Sequence, residues 1–578
     1  MDAQSQSWYH SRLEKLAAQW DVSESYLSHC ALELARQQAH DARKGHMGYY
    51  FLDEGRGELA RAVDRKPRRE LSQGSRLALY LTAQWAPALL ISGGLFALVF
   101  YTGAGWPLAV GLSALLLLPV HRAVQGVVDG LLANHLAPRH IPRLDMSRGI
   151  PQQGKTVVAV TALLSSPKRA LQLLDDLEAM SLANPWPQVA FLLLGDYPEC
   201  REETDEGDAA IAEAVQNRLH ALQSQYGQER FHVLLRRRVW SKTQRCFMGY
   251  ERKRGALLEL NQLLLYNELG TFEDIEACPV GLAGAQYVCT LDADTGLPPG
   301  VLPKLIGAML HPLNTPVVEG GRVVRGHALL QPRVGMSVEA ARQSKFSRIF
   351  AGKGGLDAYS GAVSNVYQDV FGRGIFTGKG IYHVRTFDEV LGCRLPDNCV
   401  LSHDLLEGSF LRCGLVSDLT VIDGFPANLY AYLKRQHRWV RGDWQLLPWM
   451  GKTMPGARMG RQANPLPALC RWQMVDNLLR ALTPVMTLAA MLLAAALGGE
   501  AWMLLAWAPL VAPWAIESLL HIARAGDRLP GVRQNAAEAG ARVGLQLLFL
   551  PIEALSNLDA ILRTLARLAT RRNLLQWV

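Results

Sequence analysis

Hydrophobic positions along the chain fall into three regimes. In the first, Trp8 to Trp20 and Ser23 to Ala42 space apolar residues at helical intervals among many polar ones, which predicts a cytosolic helical region over residues 1–75. In the second, Leu77 to Tyr101 carries no charged residue, and a second apolar run follows from Gly103 to Val120. Ala481 to Gly499 and Ala501 to Ile516 repeat that pairing later in the chain. A bilayer core takes about 20 apolar residues in a helix. Two membrane hairpins are therefore predicted, one over residues 76–134 and one within 481–578.

The third regime starts at Lys155, where strand and helix patterns alternate. Thr156 to Val160, Val189 to Leu194, Phe231 to Leu235 and Gln286 to Leu291 are predicted strands. Ser166 to Leu182, Asp208 to Tyr226 and Gly255 to Glu268 have helical spacing between them. This βαβα order predicts a mostly parallel sheet covered on both faces, with ligand-binding residues at strand C-terminal ends. The α/β domain is assigned to residues 152–450, with residues 451–480 as interfacial or linker helices. Val543 to Leu555 is apolar but short, interrupted by Pro551 and Glu553, and reads as a re-entrant or interfacial helix before the basic end Arg563 to Arg572.

Charge refines this picture. The net charge of +8 and pI near 9 are concentrated beside the apolar runs. Arg61, Arg65, Lys66, Arg68, Arg69 and Arg76 precede the first hairpin; Arg139, Arg143 and Arg148 follow it; Arg524, Arg528 and Arg533 follow the second. Such clustering is positive-inside bias and anionic-lipid contact, which disfavours nucleic acid as a partner and places the α/β domain in the cytoplasm. The nine cysteines include no C-x-x-C pair and fit reduced thiols.

The chemistry begins where the fourth strand ends, at Asp292-Ala-Asp294, ahead of the turn Gly296-Leu-Pro-Pro-Gly300. Alternation puts both carboxylates on one side, and hard oxygen ligands favour Mg2+ or Mn2+ held with a diphosphate. Asp196, at the end of the second strand, reads either as a hydrogen-bond acceptor for a base or ribose or as a turn residue. Glu251-Arg-Lys-Arg-Gly255 opens a helix, where cations suit a diphosphate or simply a solvated loop. Asp404, in Ser402-His-Asp-Leu-Leu-Glu-Gly408, reads as a helix N-cap or as a general base. Arg435-Gln-His-Arg-Trp-Val-Arg-Gly-Asp-Trp444 packs cations and tryptophans that clamp phosphates, stack on sugars or anchor an interface.

Taken together, these strings resemble processive family 2 glycosyltransferases. The longer motifs resemble glycosyltransferase family 84, the synthase domain of cyclic β-1,2-glucan synthases. They are Glu251 to Gly255, Leu291 to Thr295, Gln331 to Gly335, Ala362 to Asp369, Phe376 to Tyr382, Leu401 to Gly408 and His437 to Gln445, with flanking matches at His46 to Tyr50 and Arg571 to Trp577. One departure is Arg435, which stands where the general family 2 motif has Gln.

The resemblance implies a GT-A (Rossmann-like nucleotide-sugar) domain inserted between transmembrane hairpins of a bacterial-type inner membrane. It implies inverting, processive transfer of glucose from UDP-glucose to build β-1,2-glucan, cyclic or linear. Asp404 would be the base, and Asp292 and Asp294 the magnesium or manganese ligands. Asp196, Lys253 and Arg438 would bind the nucleotide diphosphate, and Trp439, Lys379 and His403 the acceptor. Partners would be the nucleotide sugar, the growing glucan, the bilayer, and an exporter or a separate length-controlling or cyclising enzyme. The alternatives are a family 2 synthase of another β-glycan or a non-catalytic export scaffold. The scaffold reading predicts loss of the acids, all of which are present.

Overall fold

The computed structural model describes residues 1–66, 71–351, 366–457, 460–496, 500–523 and 529–576. Arg68, Arg69, Arg524, Arg528, the Gly498-Gly499 link, Ala362 to Asn365 of the quoted motif, and Trp577 lie outside them.

Helix α1 (Ala3–Trp20) starts at Asp2, whose carboxylate accepts from the Ser5 amide at 2.9 Å. The same carboxylate pairs with Arg143, which also meets Asp418 at 2.7 Å. Arg43, beyond α2 (Glu24–Gln37), donates to the Leu313 carbonyl at 2.9 Å. The N-terminal helices are thereby packed on the α/β domain. Helices α3 (Gln73–Val99) and α4 (Trp106–His135) form the first hairpin.

The sheet has seven strands: β1 (Thr156–Leu163), β2 (Val189–Asp196), β3 (Phe231–Arg236), β4 (Tyr287–Asp292), β5 (Leu329–Met336), β6 (Gly380–His383) and β7 (Gly414–Asp423), in the order β7-β5-β6-β4-β1-β2-β3. The β-branched run of β1 alternates between two cores. Val157 and Ala159 pack with Leu257 and Leu260, while Val158 and Val160 pack with Leu173 and Leu177. Helices α5 (Pro167–Ala183), α6 (Asp208–Tyr226) and α7 (Arg252–Tyr266) supply those covers, and Ser166 caps α5 by accepting from the Arg169 amide at 3.3 Å. β3, β2, β1 and β4 pair in parallel, as the βαβα order predicts. β6 is antiparallel to both β4 and β5, and β7 is parallel to β5. Only β6 is therefore reversed. Helices α8 (Asp404–Phe410) and α9 (Leu429–Gln445) complete the domain. This mixed α/β core lying between apolar helices is the GT-A arrangement expected from the sequence.

Helices α10 (Ala468–Ala496) and α11 (Glu500–Ala523) form the second hairpin, followed by α12 (Leu529–Thr570). By length and composition, Gln73–Gly103, Trp106–His135, Ala468–Ala496 and Ala536–Thr570 are each sufficient to cross a membrane, while Trp502–Ile516 is a shorter apolar stretch. The short element expected at Val543 to Leu555 is instead part of one 42-residue helix that continues through Pro551. Its contacts show how it lies. Arg542 donates to the Ile349 carbonyl at 3.3 Å, Phe549 stacks on Phe350, and Asp559 holds His437 at 2.9 Å. Just past its end, the Asn573 amide donates to Thr243 at 3.1 Å. At 1.5 Å per residue, Arg542 to Thr570 spans about 42 Å, and both ends of that stretch meet the α/β domain. Helix α12 runs along the domain. The nine cysteines form no disulfide.

Buried polar contacts lock the two hairpins together. Arg122 on α4 pairs with Asp476 on α10 at 2.6 Å, Gln125 donates to the same carboxylate at 3.3 Å, and Arg480 lies 3.4 Å from it. Removing one partner of a buried pair leaves an uncompensated charge and costs about 3–5 kcal/mol. Asp476→Ala is expected to lose stability on that scale. Arg122→Met, which leaves Asp476 its Arg480 and Gln125 contacts, is expected to lose less. Unfolding midpoints of the two variants in detergent check the order.

Candidate active site

Reversal of β6 decides which groups meet. Because the other strands run one way, Asp196, Asp292 and Asp423 end β2, β4 and β7 at the same edge of the sheet. β6 starts there, with Gly380 opposite Thr290, so Lys379 arrives beside the acids. The turn after Asp294 is pinned to β7 by reciprocal backbone bonds between Gly296 and Ile422 at 2.7 and 3.0 Å. Thr295 adds a hydroxyl donation to Asp423 at 3.0 Å.

Cations then neutralise the edge. Lys253, at the start of α7, reaches Asp292 Oδ1 at 2.5 Å and donates to the Gly378 carbonyl at 2.7 Å. Lys379 bridges Asp292 Oδ2 at 2.8 Å and Asp423 Oδ2 at 3.0 Å. Burial alone would raise the Asp292 pKa, but the two ammonium groups outweigh it and hold the carboxyl well below its usual range. Asp294 is exposed, and its pKa is pushed up by partial burial and by the Asp423 charge. It makes no hydrogen bond or ion pair with a described residue, so its oxygens suit a divalent cation shared with Asp292.

The Gly378 turn joins this group to Asp404. Gly378 has φ +85°, and a Cβ there would stand 3.1 Å from the Asp404 carboxylate, so glycine serves both the backbone and the close approach. Asp404 keeps 28% of its side chain accessible, against 2% for Glu407. Burial raises its pKa, opposed by the His403 and Lys253 charges, and the net shift is upward, as suits a base. His403 is buried, with Nδ1 2.7 Å from Glu407 Oε1 and 3.7 Å from Asp404 Oδ1. Atoms of His403, Asp404 and Glu407 lie within 4.8 Å of one another, close enough for a metal. The close His403–Glu407 contact already compensates charge there, whereas the oxygen-only Asp292–Asp294 pair matches magnesium or manganese better.

Asp196 lies at the expected strand end, and both its oxygens accept from Arg236, at 2.7 and 2.8 Å. Further lone pairs remain on each oxygen for a ligand. Arg438 shares the field of the acids: burial and Arg435 lower its pKa, while Asp292 and Asp294 raise it. Arg435 stacks 4.5 Å over the Trp439 ring and lies 3.9 Å from Asp423, which gives the Arg in place of Gln a structural connection to both. Trp439 also lines a cavity of about 190 Å³ toward the membrane helices, shared with Tyr432, Gln436, Asp443, Asn477 and Arg480.

The structure brings Lys253, Asp292, Asp294, Lys379, His403 and Asp404 together at one edge of the sheet, with Arg438 in the field of the acids. Lys379 sits between the carboxylates of Asp292 and Asp423. Asp423 and Arg236 were missing from the sequence reading. Asp423 had a usable signal, an apolar stretch ending in an acid before the Gly424-Phe-Pro426 turn. Arg236 had none.

The His403 pair has a pH signature. Burial lowers the His403 pKa, but Glu407 outweighs it, and the net value is raised above the ordinary 6.5. A raised pKa in the folded state stabilises the fold fully below the unfolded value, and that contribution is lost as pH rises through the folded value. The unfolding temperature is therefore expected to drop more between pH 6 and about pH 9 in the wild type than in Glu407→Gln, as measured by thermal scans at matched ionic strength.

No protein-family model matches the chain. Over its whole length the chain is 34% identical to cyclic β-(1,2)-glucan synthase NdvB of Rhizobium meliloti (strain 1021). The chain spans about a fifth of that relative's length, 21%. The match covers 100% of this chain, so the aligned region includes every motif quoted above. This similarity supports assigning the chain to the cyclic β-glucan synthase family, glycosyltransferase family 84, as the counterpart of one segment of its long relative.

Proposed function

We propose that this chain is an inverting, processive membrane glycosyltransferase that transfers glucose from UDP-glucose to build β-1,2-glucan, with its α/β domain on the cytoplasmic side of a bacterial-type inner membrane. One observation carries the reading: a partly accessible carboxylate of raised pKa, Asp404, faces a cation-lined acid edge across the Gly378 turn.

Asp404 takes the proton of the acceptor 2-hydroxyl. The resulting oxygen attacks the anomeric carbon on the face opposite the diphosphate, the bond from that carbon to the diphosphate oxygen breaks, and UDP leaves with the electron pair. One displacement converts an α-linked donor into a β-linkage and needs no enzyme nucleophile. Mg2+ or Mn2+ held by Asp292 and Asp294 would neutralise charge on the leaving group. Lys253 and Arg438 face the diphosphate, Asp196 the uridine, and His403 the acceptor side of Asp404. Trp439 offers the acceptor a ring edge beside the cavity. An exporter or a separate length-controlling or cyclising enzyme would act on the product.

Purified protein incubated with UDP-glucose and Mg2+ is expected to release UDP and yield a polymer whose linkage analysis shows 1,2-linked glucose. Another linkage or sugar would redirect the reading to a different β-glycan synthase. Loss of a general base costs about 10²–10⁴-fold in rate, so Asp404→Asn is expected to lower UDP release on that scale while still binding UDP. UDP release within tenfold of wild type would remove Asp404 from the base role.

A further inference from the structure

Lys379 occupies an unusual place for a lysine. Its side chain is 9% exposed, and its ammonium lies between two carboxylates on different strands, Asp292 and Asp423. The backbone carrying it has little room to shift. Gly378 before it has φ +85°, and a Cβ on Gly380 after it would lie 2.2 Å from the Leu330 carbonyl oxygen. Asp423 is 4% exposed and is held from its other oxygen by Thr295.

A divalent cation shared by Asp292 and Asp294 needs an oxygen of Asp292, and each of those oxygens faces an ammonium, Lys253 on Oδ1 and Lys379 on Oδ2. Asp292, Asp294 and Asp423 bring three negative charges, and Lys253, Lys379 and Arg435 bring three positive ones. A cation arriving alone meets a site already neutralised from within, and it is repelled at close range. A diphosphate arriving with the cation supplies the missing negative charge. Lys379 can then give up Asp292 without being orphaned, because Asp423 keeps it paired.

We infer that Lys379 is a resident cation that keeps the divalent-metal site closed until a nucleotide diphosphate arrives, with Asp423 as the second post of the latch. The inference rests on the donor-site reading above and adds an order to it: metal and nucleotide enter together. Arg can replace Lys379 in charge, and neutral residues cannot.

The test is Mn2+ binding to the full chain in detergent, read by electron paramagnetic resonance of the free ion, with and without UDP. Wild type is expected to bind Mn2+ weakly alone and at least tenfold more tightly with UDP. Lys379→Met is expected to bind Mn2+ alone at least tenfold more tightly than wild type, with a smaller gain from UDP. Lys379→Arg is expected to behave as wild type. Lys379→Gln, which keeps a donor between the carboxylates, is expected to reproduce the Met result and replaces it should Met not fold. The latch is overturned if both neutral variants bind Mn2+ alone no better than wild type while UDP still promotes binding in all forms. If no form takes up Mn2+ even with UDP, the donor-site reading fails, and the latch fails with it.

Discussion

Like charges at one sheet edge are the constraint around which this structure is built. Two strands and the turn after β4 deliver carboxylates to the same corner, and such a cluster in a partly dehydrated place is unfavourable unless cations share it. The fold answers with two lysines from different elements, Lys253 from a helix start and Lys379 from a turn. Both bind the Gly378 turn to the acid edge, and that turn in turn bounds Asp404. Charge compensation and the placement of the Gly378 turn against Asp404 are thus one problem solved by the same side chains.

The membrane half obeys the same logic in a drier setting. Arg122 and Asp476 join helices that apolar packing alone would leave free to slide, and Gln125 and Arg480 complete the pair. The helix that runs along the α/β domain then connects the two halves. It touches α9 at His437 and the second hairpin at Ala481, so the position of Trp439 depends on both.

Much of this was legible from residue order. β1 to β4 alternate with helices, each strand is a run of β-branched or leucine residues, and two of them end in aspartate. The later strands hid for physical reasons. β5 contains Pro332, Arg333 and Gly335, and β6 is only four residues long. In β7 the pairing register shifts between Val416 and Thr420, which breaks the period-two pattern around Asp418. Asp423 was therefore not recognised as a strand-end acid. The last helix was read as short because Pro551 and Glu553 interrupt its apolar run, although neighbouring helices allow it to continue. Ion pairs such as Asp196 with Arg236 join residues 40 positions apart, and no local pattern announces them.

The reversed strand ties folding fidelity to chemistry. Side chains alternate across a strand, so a slip of β6 by one residue against β4 would turn its start to the opposite face. The residues flanking Lys379 are both glycines, and after such a slip the acid corner would face a hydrogen where it now faces an ammonium. A one-residue pairing error would exchange Ile381 and Tyr382 between the two cores and at the same time remove Lys379 from the acid corner. Quality control of this protein is thus a matter of register as much as of compactness.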